Sequence, residues 1–278
     1  MLVLELMLII FLASIVAGVI GSLVGLGGGV VVIPMLTIGL GVNIHYAIGA
    51  SIVSVIATSS GAAATYVKDK MTNLKVGMFL ELGTTTGAIT GALIAAYVNS
   101  LTLELIFGVV LLLSLIPLIR KIGEDIPATP ELTGLSEKLK LTGSYVETDG
   151  STVKYNATHP TEGLAGMVVA GLISGLLGIG SGTFKVLSMD LAMKLPMKVS
   201  TTTSNFMIGV TAAASAGIYF VRGDVNPIIV APVALGILIG ASMGARVLTR
   251  ARNPTVRKIF ALVLAIAGLE MVLRALGI

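Results

Sequence analysis

Gly25-Leu26-Gly27-Gly28-Gly29 interrupts an apolar run that begins at Leu6, and Gly178-Ile179-Gly180-Ser181-Gly182 interrupts a second run in the other half of the chain. Glycine is the poorest helix former after proline, so four glycines in five positions break a helix. Residues 6 to 26 are long enough to cross a bilayer at about 20 residues per span. A break at that depth frees backbone N–H and C=O groups that find no water in hydrocarbon. Such a stretch survives only against protein or beside a water-filled cavity. Small residues also let membrane helices pack closely, and that reading is open for any one glycine. Breaks at equivalent points of two repeats point further, to a transporter's substrate site.

Composition sets the environment. The 278 residues are 55% hydrophobic and 12% charged, with a mean hydropathy of +1.01, against about 25% charged in soluble domains. An all-α, polytopic membrane protein is expected. There are no cysteines, which excludes disulfides and thiolate metal sites. The net charge of +4 is carried at span ends, as membrane orientation requires, so no nucleic-acid role is read. The N-terminal residues Met1 to Glu5 lack a basic leader and run into the apolar stretch, which is therefore read as a retained first span.

Past the first break, Val30 to Gly41 reaches only part of the way across at about 1.5 Å per residue, as a half-length or re-entrant helix. Further spans are read at 46–67, 74–98 and 103–119. Gly83, Gly87 and Gly91 share a four-residue spacing and hence one stripe of the 74–98 helix. Residues 121 to 161 are polar, with Asp149-Gly150 between alternating flanks, and predict a small hairpin on the membrane surface. The organisation is thus repeat 1 over residues 1–120, a soluble loop over 121–161, and repeat 2 over 162–278.

Adding 153 to a residue number carries Gly18 to Gly171, Gly25 to Gly178, Ser51 to Ser204, Thr58 to Thr211 and Gly91 to Gly244. A constant offset without a gap marks a duplication. Equivalent loops carry opposite charge bias: Lys68, Lys70 and Lys75 have a weakly charged counterpart at Arg222-Gly223-Asp224. The neutral Asn99-Ser100 loop corresponds to Arg246, Arg250, Arg252, Arg257 and Lys258. By the positive-inside rule the halves are inverted, with four to five helices each, both termini outside and the central loop cytoplasmic.

Lys185 is the most informative charge, three residues past Gly182 where the first half has Val32. An ionisable residue at membrane depth defaults to function, with snorkelling to the interface as the plain alternative. Beside glycine-rich backbone it suits a small anion. The candidate substrate site comprises Gly27, Gly28, Gly29, Ser51, Gly180, Ser181, Gly182, Lys185, Ser204 and Asn205. Glu81 could couple protons or pair with another helix. Thr58 and Thr211 are read as hydroxyls bonding back to their own helices, and His45 as an interfacial residue.

Gly25-Leu26-Gly27-Gly28-Gly29 with Val32-Ile33-Pro34 and Ala47-Ile48-Gly49-Ala50-Ser51, plus the degenerate copy from Gly175 to Gly182, resemble the TauE/SafE sulfite exporter family. The resemblance implies a carrier of sulfite, sulfoacetate, other organosulfonates or related small anions across the cell membrane. The second copy departs from the family pattern at Ser181 and at Lys185-Val186-Leu187. Neither a cofactor nor a metal is expected, and a homodimer is left open. A carrier of larger metabolites would show an aromatic-lined cavity, against 5% aromatics and no tryptophan here. An intramembrane enzyme would need paired Asp, Glu or His side chains at helical spacing within a span, which are missing. An anion channel stays as the closest rival.

Overall fold

The computed structural model describes residues 3–24, 28–68, 72–120, 134–146, 151–248 and 253–277. The first half comprises α1 (Val3–Val24), α2 (Gly29–Pro34), α3 (Ile44–Lys68), α4 (Leu74–Ala95) and α5 (Ser100–Arg120). A one-turn helix α6 (Leu135–Lys138) and strands β1 (Thr142–Val146) and β2 (Thr152–Asn156) follow. The second half comprises α7 (Pro160–Leu177), α8 (Gly182–Leu187), α9 (Met197–Val221), α10 (Pro227–Leu248) and α11 (Asn253–Leu276).

The expected short helices are present. Each runs one and a half turns and then loosens into a π turn, Met35–Gly39 after α2 and Ser188–Ala192 after α8. The starts of α2, α3, α4 and α5 recur at α8, α9, α10 and α11 with the offset of 153 read from the sequence. Among the described residues, four helices are long and apolar enough to cross a membrane: α1, α4, α7 and α9. Shorter apolar stretches lie in α3, α5 and α10. Outer faces carry exposed Leu4, Leu12, Met78, Leu82, Leu235 and Leu262. A surface this apolar belongs in lipid.

Glycines decide how the helices meet. A Cβ on Gly18 would lie 2.7 Å from the Ile237 carbonyl oxygen, and one on Gly171 would strike the Thr84 carbonyl. Gly83 and Gly87 in α4 face the Leu164 and Val168 carbonyls of α7, while Gly236 and Gly240 in α10 face those of Phe11 and Ile15 in α1. Every one of these contacts maps onto its counterpart by the same offset. Each first helix therefore packs against the fourth helix of the other half, backbone against backbone, which only glycine permits. The central pair α3 and α9 runs antiparallel. A Cβ on Gly49, near the start of α3, would meet the Asp224 carbonyl just past the end of α9, and the Asn73 N–H beyond α3 donates to Thr203 Oγ1 near the start of α9 (3.1 Å).

Carbonyls around the second break and in the first π turn accept hydrogen bonds from side chains, as a bilayer demands. The Ser51 hydroxyl donates to the Gly178 carbonyl at 2.7 Å and the Ser204 hydroxyl to that of Gly182 at 3.2 Å. Tyr219 Oη donates to the Gly175 carbonyl at 2.7 Å, near the end of α7. Arg274 Nη1 donates to the Thr37 carbonyl of the first π turn at 2.9 Å.

The hairpin forms and docks onto the helices. Its register sets Tyr145 opposite Val153 and Val146 opposite Thr152, so 147–151 connect the strands. The Asp149-Gly150 turn itself, like residues 121–133, lies outside the described residues. Asn73 joins hairpin to helix bundle: its Oδ1 caps α4 by accepting from the Val76 N–H at 3.1 Å, and its Nδ2 donates to Tyr155 Oη at 3.0 Å. Burial pushes the Tyr155 hydroxyl above its ordinary pKa, against the Asn73 bond. Asn73→Ala is expected to cost about 1–2 kcal/mol as a lost helix cap. It should also speed amide exchange in β1 and β2 selectively, measured by hydrogen exchange of the protein in detergent.

Candidate functional site

The start of α2 meets the second break. A Cβ on Gly29 would strike Ser51 Oγ and would come within 3.5 Å of the Gly178 carbonyl oxygen, so the start of α2 rests on the end of α7. Helix α7 stops because Gly178 adopts φ +67° and returns its N–H to the Ser174 carbonyl at 2.7 Å. Gly180 follows at φ +73° and Ser181 at φ +46°. A left-handed non-glycine residue costs roughly 1–2 kcal/mol. Ser181 offsets part of that by donating its hydroxyl to the Ala170 carbonyl at 2.6 Å, which gives its departure from glycine a structural role.

Beside the second break lies a small cleft lined by Val30, Leu111, Ser114, Ser181, Thr183 and Phe184. Its lining comes from both halves, with polar hydroxyls among apolar walls. Gly29, Ser51, Gly180, Ser181, Gly182 and Ser204 gather around these breaks, whereas Gly28 turns toward the Ile237 side chain of α10. Asn205 is half-buried. Gly27 lies outside the described residues. Ser51 and Ser204 give their hydroxyl protons to backbone carbonyls in this conformation, so their hydroxyls here hold the breaks in shape.

Lys185 is wholly buried on α8 and does not reach an interface. Its Nζ donates to Thr211 Oγ1 at 2.6 Å, and Thr211 Oγ1 lies 2.7 Å from Glu81 Oε1 and 2.8 Å from the Met207 carbonyl oxygen. Thr85 Oγ1 adds a bond to Glu81 Oε1 at 3.2 Å, while Glu81 Oε2 is buried without a partner among the described residues. Three helices, α4, α8 and α9, thus converge on one cation and one carboxylate bridged by a hydroxyl. The back-bond expected for Thr211 is present, and its bridging role was missed. Opposite charges in lipid seek each other, so Lys185 and Glu81 were the signal for it. Thr58 bonds back to the Ser54 carbonyl at 3.0 Å as expected.

A second polar group closes the far end of α9. Arg222 Nη2 lies 3.1 Å from Asp224 Oδ2 and 3.3 Å from His45 Nδ1, with the guanidinium 5.2 Å from the Tyr219 ring centre. His45 therefore ties the start of α3 to the end of α9.

Broken helices at the midst of an apolar bundle, with a buried cation beside them, define a polytopic membrane transporter. The family described as Sulfite exporter TauE/SafE matches residues 10–271, and the chain belongs to that family. It is 27% identical over 271 residues to the "Probable membrane transporter protein YunE" of Bacillus subtilis (strain 168), covering 95% of this chain and 96% of the relative. It is 26% identical over 264 residues to YdhB of the same organism, also named a probable membrane transporter protein, covering 94% of this chain and 98% of the relative. A third relative, "Probable membrane transporter protein MJ0441" of Methanocaldococcus jannaschii, is 24% identical over 280 residues and covered at 95% on both sides. No solved structure matches.

Proposed function

We propose that this transporter moves small sulfur-containing anions, sulfite, sulfoacetate or other organosulfonates, by alternating access through a site between the two glycine-rich breaks. The observation that carries the reading is Lys185: a wholly buried lysine on the short helix just past the second break. A fixed cation beside unwound backbone is the arrangement that binds an anion in a dry interior. The family's description as sulfite exporters supports the choice of sulfur oxyanions. The antiparallel α3–α9 pair and the reciprocal glycine contacts support inverted halves over residues 1–120 and 162–278. With the charge bias of the loops, inversion puts both termini outside and the 121–161 loop in the cytoplasm of a cell-membrane protein. The site glycines, Ser51, Ser204 and Asn205 shape and line the path, and Lys185 holds the charge.

Proteoliposomes preloaded with unlabelled sulfite or methanesulfonate are expected to take up the labelled anion transiently against its gradient, and the uptake to saturate. Counterflow separates a carrier from a pore. Uptake that is linear in concentration and indifferent to preloading would replace the carrier reading with a channel.

A further inference from the structure

We propose that Lys185, Thr211 and Glu81 form a coupling device in which a proton on Glu81 and a monovalent anion on Lys185 are carried together. The proposal rests on the transport reading above and assigns its driving ion.

Charge balance is the first argument. With Glu81 ionised, Lys185 and Glu81 cancel across Thr211, and an arriving anion would leave the buried site with one uncompensated negative charge. Uncompensated charge in a desolvated interior is strongly unfavourable. One proton added to Glu81 restores neutrality, because the site then holds a lysinium, a carboxylic acid and the anion. Cargo and proton therefore bind best together.

Geometry supplies the second argument. The Thr211 hydroxyl owns one proton and has two acceptors in reach, Glu81 Oε1 at 2.7 Å and the Met207 carbonyl at 2.8 Å. When Glu81 is ionised the hydroxyl points to the carboxylate. When Glu81 is protonated the hydroxyl turns to Met207, and Lys185 keeps its bond to the same oxygen at 2.6 Å. The exchange requires no backbone movement. The added proton then sits on Glu81 Oε1 and is donated to Thr211 Oγ1, because Glu81 Oε2, buried with no hydrogen-bond partner among the described residues, offers it no acceptor.

Other charges stand off. On α4 itself Lys75 is exposed in the first turn; on α7 Glu162 is exposed at the start; and on α9 Lys198 is exposed beside the Tyr145 ring. Asp190 is buried in the π turn after α8 and lies outside the Lys185–Thr211–Glu81 bridge. Among the described residues, Lys185 is the charged group joined to Glu81 by hydrogen bonds, through Thr211 Oγ1.

Methanesulfonate is the probe, because it stays monovalent across the working range and any pH effect belongs to the protein. In wild-type proteoliposomes at zero voltage, an outside-acid gradient of one pH unit is expected to drive accumulation approaching tenfold, and the uptake to be electrically silent. Glu81→Gln, neutral at every pH, should show an accumulation ratio of one and, at whatever rate it exchanges, no pH dependence of counterflow. Glu81→Asp keeps a carboxyl group and should keep the coupling. Wild-type counterflow without gradient-driven accumulation, or accumulation in Glu81→Gln equal to wild type, overturns the proposal. Absence of wild-type counterflow with every sulfur anion would overturn the transport reading instead. A cargo-free arm then decides on Glu81: acid-minus-alkaline infrared difference spectra of the protein in lipid should show a carboxylic-acid stretch that Glu81→Gln removes. A spectrum unchanged by the substitution overturns the proposal whatever the cargo.

Discussion

Lys185→Met is expected to weaken anion binding by about 10- to 150-fold while leaving a folded protein. The affinity figure follows from about 1.5–3 kcal/mol for a hydrogen bond to a charged group. Folding should survive for a reason visible in the bridge. Met fills the stem of the lysine without its charge, and the Glu81 carboxylate keeps the Thr211 and Thr85 hydroxyls within reach. Ligand-induced stabilisation is the readout. A variant that melts cooperatively and still binds the anion as tightly as wild type would reduce Lys185 to a packing residue.

The largest effect on folding is expected at Gly175. A Cβ there would strike the carbonyl, carbon and Cα of Ala88, all backbone of α4. Neither helix has a flexible side chain to move aside, so Gly175→Val must push α7 away from α4. Overpacking costs about 1–3 kcal/mol when side chains can shift, and here the shift spreads along a whole helix pair. Yield of monodisperse protein after detergent extraction is expected to collapse. Gly217 of α9 offers the control: nothing lies within 4 Å of its added Cβ and it is exposed. Gly217→Ala should extract like wild type. Equal behaviour of the two variants would contradict the crossing geometry.

Much of this architecture could be read from residue order. The breaks were legible because clustered glycine has a strong local consequence, and the offset between Gly29 and Gly182 then located the equivalent helices. The hairpin was legible from alternation around Asp149-Gly150, yet its docking was not. That depends on Asn73 meeting Tyr155 across 82 residues, a contact that no local pattern encodes. The site divides in the same way. Lys185 and Glu81 stand out singly as charges in apolar surroundings, whereas Thr211 looks like any helix hydroxyl bonding back to its own helix. Its place between the two charges arises only when α4, α8 and α9 are packed. Ser51 and Ser204 were found by position, and their present occupation, pairing the carbonyls of Gly178 and Gly182, is a tertiary fact.

The central claim is an anion site at the second glycine break, and a thermal-shift panel on purified wild type and Lys185→Met tests it most directly. Sulfite, thiosulfate, sulfoacetate, taurine, methanesulfonate, sulfate and simple carboxylates form the panel. A ligand at 100 times its dissociation constant stabilises the native state by about 2.7 kcal/mol. The account predicts a selective rise in melting temperature with sulfite or a sulfonate in wild type, and its loss in Lys185→Met. A shift confined to carboxylates or cationic amphiphiles, or one that Lys185→Met retains in full, would contradict it.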